Sequence, residues 1–155
     1  MTWFLPTYKR PQRCQEALDS IAAGGPSRGV VVVDGDPDVA YRELQLPSGP
    51  GQQWSLVLLP KNGGVCAALN WALKTYPDEP WYGFFCDDQR VVTYGWEAPL
   101  VKAAGATGFA NSADGWQAGK RMHGAVVFGG DLLRAIGWWA PPGSRHSCGD
   151  DAWED

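Results

Sequence analysis

The chain has 155 residues and carries 17 acidic against 13 basic side chains, which gives a net charge of −4 at neutral pH. A chain of this length can bury one hydrophobic core of ordinary size, so we expect a single domain over residues 1–155. The acidic balance and the lack of a Lys/Arg-rich stripe argue against a surface that binds nucleic acid through its phosphates.

Neither a membrane span nor a metal-binding cysteine cluster is expected from the sequence. No apolar run approaches the roughly 20 residues that cross a bilayer, and the first residues lack the pattern of a signal peptide, so we predict a cytoplasmic protein. The cysteines form no CxxC pair, which indicates free thiols and disfavours a zinc site. They are Cys14, Cys66, Cys86 and Cys148.

Apolar runs alternate with amphipathic stretches in the first half of the chain. Thr2–Pro6 is a short apolar run, and Pro11 marks the start of a helix that ends at Gly24. Four consecutive valines, Val30–Val33, predict a central strand that helices cover on both faces. The segment "WSLVLLP", which begins at Trp54, predicts another buried strand.

The second half continues the alternation of strands and helices. We predict a helix in "NGGVCAALNWALKTY", a strand in "WYGFFC", a helix in "GWEAPLVKAA", mostly loop in "GATGFANSADGWQAGKRM", a strand in "GAVVFGG" and a short helix in "DLLRAIGWW". The first helix of this series places Val65, Leu69, Ala72 and Leu73 on one face. This order predicts an α/β fold with a mainly parallel central sheet flanked by helices.

Carboxylates follow two of the predicted strands. Asp34 ends the run of valines, and Asp87 and Asp88 follow "WYGFFC". In a parallel sheet these positions lie at the carboxyl edge, where ligands bind. Paired carboxylates suit Mg²⁺ or Mn²⁺, which also take oxygens from substrate phosphates. The alternative is that these acids only form turns or cap helices.

Basic and hydroxyl side chains are predicted at the same edge. Thr7, Lys9 and Arg10 follow the first strand, and Lys61 with Asn62 repeats the arrangement after "WSLVLLP". Such groups contact diphosphates or nucleosides, although for each one alone a solvated surface position is the simpler interpretation.

A last cluster lies in the C-terminal segment "HSCGDDAWED". His146, Asp150 and Asp151 crowd into this segment together with Trp153. A solvated acidic tail is the alternative, but such a tail seldom includes a large apolar residue.

Six blocks of the chain, in order, resemble GT-A glycosyltransferases similar to family two, including small bacterial and bacteriophage members. They are "PTYKRPQRCQEALDSI", "VVVVDGDPD", "NGGVCAALNWAL", "FFCDDQRVVTYGWEAPLVKA", "GAVVFGGDLLRAIGWW" and "HSCGDDAWED". The resemblance covers nearly the whole chain. It implies a single-domain GT-A fold, the Rossmann-like fold of nucleotide-diphospho-sugar transferases.

The resemblance also implies roles for matching positions. The residues that contact the nucleoside correspond to Pro6, Thr7, Arg10 and Asp34. The family's Asp-x-Asp block corresponds to "CDD", with Cys86 where its first acid commonly stands. Asp88 is then the direct ligand of Mn²⁺ or Mg²⁺, and Asp87 assists it in the donor site.

The C-terminal block resembles the segment that supplies the catalytic base. Alignment with the family's Glu-Asp pair makes Asp151 the base, whereas alignment with HxxxDxxW makes it Asp150. His146 corresponds to a metal ligand or a contact to the diphosphate.

The resemblance implies a metal-dependent enzyme that moves a sugar from a nucleotide-diphosphate sugar, UDP-sugar by default, to an acceptor that the sequence does not identify. A single displacement by the base inverts the anomeric configuration.

One alternative is a nucleotidyltransferase, but "PTYKRP" lacks the glycines of its phosphate loop. Another is a carbohydrate-binding module, favoured by nine tryptophans, of which Trp116, Trp138 and Trp139 fall in or beside predicted loops. Loop tryptophans also favour a homo-oligomer.

Overall fold

The computed structural model describes residues 1–113 and 124–144 of the chain. Within these ranges the chain alternates strands with helices. The strands are β1 (Thr2–Thr7), β2 (Ser27–Val33), β3 (Gln52–Leu58), β4 (Trp81–Phe84), β5 (Phe109–Asn111) and β6 (Val126–Gly129). The helices are α1 (Pro11–Ala23), α2 (Val65–Thr75), α3 (Glu97–Ala104) and α4 (Gly130–Ile136), with a short 3₁₀ helix at Val39–Glu43.

The strands form one six-stranded sheet in the order β3-β2-β1-β4-β6-β5. Strands β1 to β4 are all parallel to one another, whereas β6 runs antiparallel to both β4 and β5. The predicted α/β fold with a mainly parallel sheet is therefore confirmed. The strand order reverses between β1 and β4, because β2 and β3 are added on one side of β1 and the later strands on the other. Ligands of such sheets bind at this reversal point.

Helices cover both faces of the sheet because successive residues of the inner strands point to opposite sides. Trp3 and Leu5 of β1 belong to a core cluster with residues of α1 and α3. Phe4, between them, belongs to a second cluster with residues of α2 and α4. Helix α1 begins at Pro11, as predicted, and buries one apolar stripe: Cys14, Ala17, Leu18 and Ile21.

One local prediction is wrong in its burial, one is incomplete, and one short element was not predicted. The strand predicted in "WSLVLLP" is β3, which lies at the edge of the sheet and is only partly buried, because it has a single neighbour. The segment predicted as loop contains β5, a strand of three residues that is too short to show a period. The 3₁₀ helix Val39–Glu43 was not predicted, because no apolar pattern in the sequence indicates it.

The tryptophans of the described residues lie mostly in the core or half-buried. Trp139, predicted beside a loop, is 1% exposed and packs edge-on against Phe4, Tyr82 and Phe128. Trp138 is half-buried, and Trp116 lies outside the described residues. Among the residues that the structure describes, no helix has both the length and the apolar character needed to cross a bilayer.

Trp3 connects the sheet to helix α3. Its ring lies on Gly83 of β4, where a Cβ atom would stand 2.2 Å from a ring carbon, so that only glycine fits. The ring also stacks on Trp96 at 4.3 Å, and its Nε1 donates a 2.7 Å hydrogen bond to Glu97 Oε1. Burial raises the pKa of Glu97 above its ordinary 4.5, against the smaller opposing effects of this hydrogen bond and of the N-terminal ammonium.

Replacing Glu97 by glutamine is expected to raise the free energy of unfolding at pH 7. Because the pKa is higher in the folded state, ionised Glu97 lowers stability above its ordinary pKa, and the loss vanishes below that pKa, where both states are protonated. The glutamine oxygen still accepts the Trp3 hydrogen bond. Urea unfolding at pH 7 and about pH 4 measures the difference.

The matched control is Glu43→Gln, an exposed acid of the 3₁₀ helix, which should change stability by less than about 0.5 kcal/mol at either pH. A Glu97→Gln protein less stable than the wild type at pH 7 would contradict the prediction.

Candidate functional site

A cavity of about 320 Å³ opens at the carboxyl ends of β1, β2 and β4, at the reversal point of the sheet. Its volume falls at the lower end of the range of small-molecule sites, about 300–1,000 Å³. Four segments of the chain line it: Pro6, Thr7, Tyr8 and Arg10 at the end of β1 and just after it, Asp34 after β2, Asn62, Gly64 and Val65 at the start of α2, and Phe84, Cys86, Asp87 and Asp88 at the end of β4 and just after it.

Asp87 is one of two buried acids in the lining of this cavity, together with Asp34. Its Oδ2 accepts a 2.8 Å hydrogen bond from Thr7 Oγ1, and its Oδ1 lies 3.5 Å from the Arg10 guanidinium. Burial raises the pKa of Asp87 above its ordinary value, and the neighbouring Asp88 raises it further, while Thr7 and Arg10 lower it. The cavity therefore holds a carboxylate pair whose mutual repulsion a bound cation would relieve.

Tyr41, in the 3₁₀ helix, is fully buried beneath the loop that follows β1. Its hydroxyl accepts a 2.9 Å hydrogen bond from the Arg10 backbone N–H and lies 3.1 Å from Thr7 Oγ1. Burial raises the pKa of Tyr41, so the hydroxyl is neutral at physiological pH. It connects the 3₁₀ helix to the end of β1 and to the loop that follows β1.

The loop after β1 has an unusual backbone. Lys9 has a φ of +56°, and among the described residues it alone has a positive φ without being glycine. Asp36 Oδ2 accepts a 2.8 Å hydrogen bond from the Lys9 N–H, and Asp36 Oδ1 accepts one from the Asp38 N–H. The buried Asp36 thus holds the strained residue in place from the neighbouring loop.

Asp34 fastens the loop after β2 to the start of α2. Its carboxylate accepts hydrogen bonds from Asn62 Nδ2 at 2.8 Å, the Gly63 N–H at 3.0 Å and the Gly64 N–H at 2.7 Å. These donors include backbone groups that an α-helix leaves unpaired at its start. The close approach of the two loops requires glycine at Gly35, where a Cβ atom would lie 2.1 Å from the backbone nitrogen of Asn62.

Asp88 differs from Asp87 because its side chain is exposed. Among the described residues, no hydrogen bond or ion pair to its carboxylate is found. Two adjacent carboxylates with one of them uncommitted fit Mg²⁺ or Mn²⁺, which take one or two protein carboxylates, waters and substrate phosphates. No group of three or more potential metal ligands occurs in residues 1–113 and 124–144.

The structure brings together most of the residues that the sequence predicted for the site. Pro6, Thr7, Arg10, Asp34, Asp87 and Asp88 line the same cavity, whereas Lys61 is exposed and is not part of its lining. His146, Asp150 and Asp151 lie outside the described residues. Sequence reasoning missed Tyr8 and Tyr41. Tyr8 is an aromatic residue of the lining and is 38% exposed, and Lys9 Nζ lies 5.2 Å from the centroid of its ring.

A larger groove of about 630 Å³ lies between α2 and α4 and contains Trp71 and Trp138. Among the residues that the structure describes, its lining includes Lys74 and Arg134 but no acidic side chain. Asn70, also in the lining, is already bonded to the backbone of Trp139 and Ala140. We therefore assign the candidate site to the smaller cavity, where strand ends bring ionised and hydroxyl groups together.

Several solved glycosyltransferase structures share this fold. The mannosyltransferase PcManGT from Pyrobaculum calidifontis, in complex with GDP-Man and Mn²⁺, superposes with a TM-score of 0.73 at 22% identity over 90% of this chain and 47% of that one. S. aureus TarS 1-349, in complex with UDP, superposes with a TM-score of 0.66 at 17% identity over 98% and 53% of the two chains. The chain thus spans about half the length of these structures.

The apo-form glycosyltransferase GlyE of Streptococcus pneumoniae TIGR4 superposes with a TM-score of 0.58 at 12% identity, over 88% of this chain and 35% of that chain. These likenesses establish the GT-A fold. No curated protein matches the sequence. The sequence model of glycosyl transferase family 2 matches residues 2–127, which include the whole lining of the cavity, and the chain therefore belongs to glycosyl transferase family 2.

Proposed function

We propose that the cavity at the ends of β1, β2 and β4 binds a nucleotide-diphosphate sugar and that the chain transfers the sugar to a hydroxyl group of an acceptor. The observation that carries the proposal is the meeting of the carboxylate pair Asp87 and Asp88 with Arg10 at the reversal point of the sheet. The family supports glycosyl transfer, and the solved structures with GDP-Man and UDP support a nucleotide-linked donor.

The donor site is built from groups with distinct tasks. The exposed Arg10 guanidinium supplies positive charge for the diphosphate, and Thr7 orients Asp87 beside it. Tyr8 offers an aromatic face for the nucleobase. Pro6 and Asp34 complete the nucleoside side of the cavity, and Asp34 acts there mainly by holding the start of α2. Lys61 stands outside the lining and contributes only long-range charge.

A divalent cation, Mn²⁺ or Mg²⁺, belongs to this proposal. Asp88 would hold it directly, with Asp87 behind it and with His146 as a further ligand or diphosphate contact. A bound cation neutralises the negative charge that the leaving nucleoside diphosphate gains. A neighbour complexed with Mn²⁺ supports this choice of ion class.

The acceptor side remains a proposal from the sequence. Asp150 or Asp151 would take the proton of the acceptor hydroxyl as it attacks the anomeric carbon, and a single displacement inverts the configuration. A product that retains the configuration of the donor contradicts this part of the proposal without affecting the donor site.

Calorimetric titration of the purified protein with UDP, GDP, CDP and dTDP, each with Mn²⁺ and with EDTA, tests the proposal. We expect one diphosphate to bind, UDP or GDP first, and the binding to require the metal. No binding of any of the four overturns the proposed function. Release of pyrophosphate instead of nucleoside diphosphate during turnover would identify a nucleotidyltransferase, and metal-independent sugar binding without nucleotide affinity would identify a carbohydrate-binding module.

A further inference from the structure

Tyr41 has no place in the sequence blocks that point to the donor site, yet its hydroxyl lies next to two residues of that site. It is separated from Thr7 by 34 positions in the chain, and its side chain is 0% exposed. It does not line the cavity, and it therefore acts on a ligand only through other residues.

The hydrogen bonds around Tyr41 have one direction when Asp87 is ionised. An ionised carboxylate only accepts, so the single Thr7 hydroxyl proton points to Asp87 Oδ2 at 2.8 Å. The 3.1 Å contact between Thr7 and Tyr41 then requires Tyr41 to be the donor. The Arg10 N–H donates in turn to the Tyr41 oxygen at 2.9 Å. The chain of donors runs from the Arg10 backbone through Tyr41 and Thr7 to Asp87.

This hydrogen-bonded chain is buried at its centre, where an unpaired hydroxyl is unfavourable. The loop that carries Arg10 is also held at Lys9 by Asp36, which lies three residues before the start of the 3₁₀ helix at Val39. Two consecutive N–H groups, those of Lys9 and Arg10, are thus bonded to the segment 36–41. The segment fixes the backbone conformation from which Arg10 reaches the cavity.

We propose that Tyr41 is a positioning residue of the donor site, which orients the Asp87 carboxylate through Thr7 and fixes the backbone of Arg10 directly. The inference rests on the proposed function, because it assigns to Tyr41 the preorganisation of the groups that meet the diphosphate and its cation. Such outer partners of ligand-binding carboxylates orient them at the distance of one hydrogen bond.

The variant Tyr41→Phe removes the hydroxyl and keeps the ring, which belongs to the same core cluster as Leu5 and Leu18. We expect the Mn²⁺-dependent affinity for the preferred nucleoside diphosphate to fall about tenfold. The matched control is Tyr82→Phe, which also removes a buried hydroxyl, one that donates to the Tyr76 carbonyl oxygen away from the cavity. It should leave this affinity unchanged, so a loss in both variants would assign the effect to stability.

A double-mutant cycle separates positioning from packing. If Tyr41 acts on Asp87 through Thr7, adding Tyr41→Phe to Thr7→Val weakens binding by less than about threefold, because the connection is already broken. A full tenfold loss in the Thr7→Val background overturns the route through Thr7. An affinity of Tyr41→Phe equal to that of the wild type overturns the proposal as a whole.

Amide hydrogen exchange supplies a readout that needs no nucleotide. The Arg10 amide should be protected in the wild type and should exchange faster in Tyr41→Phe, while amides of the β2 strand exchange as before. If the wild type binds no diphosphate, the proposed function fails, and exchange at Arg10 alone decides whether Tyr41 positions the loop. An unprotected Arg10 amide in the wild type overturns the positioning role without any variant.

Discussion

Replacing Asp88 by asparagine is expected to weaken Mn²⁺-dependent binding of the nucleoside diphosphate at least about 100-fold, because a direct carboxylate ligand of a divalent cation contributes several kcal/mol. The side chain is exposed and makes no hydrogen bond to another described residue. Stability should therefore change by less than about 0.5 kcal/mol. Calorimetry in Mn²⁺ and in EDTA, with a thermal melt of each protein, measures both quantities.

The matched control is Asp78→Asn, which removes the same charge from an exposed position just before β4, at the opposite edge of the sheet. It should bind the diphosphate like the wild type. Residual affinity of Asp88→Asn should be the same in Mn²⁺ and in EDTA, because the variant has lost the metal contribution. Wild-type affinity in Mn²⁺ would show that Asp88 is no ligand and would transfer that role to other acids.

The order of strands and helices could be predicted because each long element carries its own signal. Four valines in a row predict an inner strand, and the apolar stripe of α1 appears at helical spacing after a proline. Position within the sheet has no such local signal. The sequence of β3 is as apolar as that of an inner strand. β3 is nevertheless an edge strand, because β2 is its single neighbour in the sheet.

The sequence predicted that Asp87 and Asp88 lie at the carboxyl ends of the strands, but it could not predict how the surroundings of the two side chains differ. Asp87 and Asp88 are neighbours of the same type, yet one is buried under Thr7 and the other is exposed. That difference depends on the backbone conformation of the loop after β4, and the residue types in this segment do not predict that conformation. Tyr41 was missed for a related reason, because a hydrogen bond between residues 34 positions apart leaves no mark on either sequence segment.

Replacing Asp34 by alanine is expected to lower the free energy of unfolding by about 3–5 kcal/mol in the absence of any ligand. The buried carboxylate accepts from Asn62, Gly63 and Gly64, and hydrogen bonds to a charged group contribute about 1.5–3 kcal/mol each. Two of the three donors are backbone N–H groups before α2, which the alanine variant leaves unpaired in the protein. Urea unfolding at pH 7 measures the change.

Two further variants make the interpretation sharper. Asp38→Ala removes an exposed acid that accepts one hydrogen bond from the Ala40 N–H, and it should lower stability by only about 1 kcal/mol. Asp34→Asn keeps one acceptor oxygen but places an NH₂ group against hydrogen-bond donors. Its free energy of unfolding should therefore lie between those of the wild type and Asp34→Ala. If Asp34 served only to contact the nucleoside, Asp34→Ala would unfold at the wild-type urea concentration when no ligand is present. If stability falls strongly, weak nucleotide binding by Asp34→Ala results from displacement of the start of α2. Contacts between Asp34 and the ligand must then be tested with Asp34→Asn, at temperatures where that variant is fully folded.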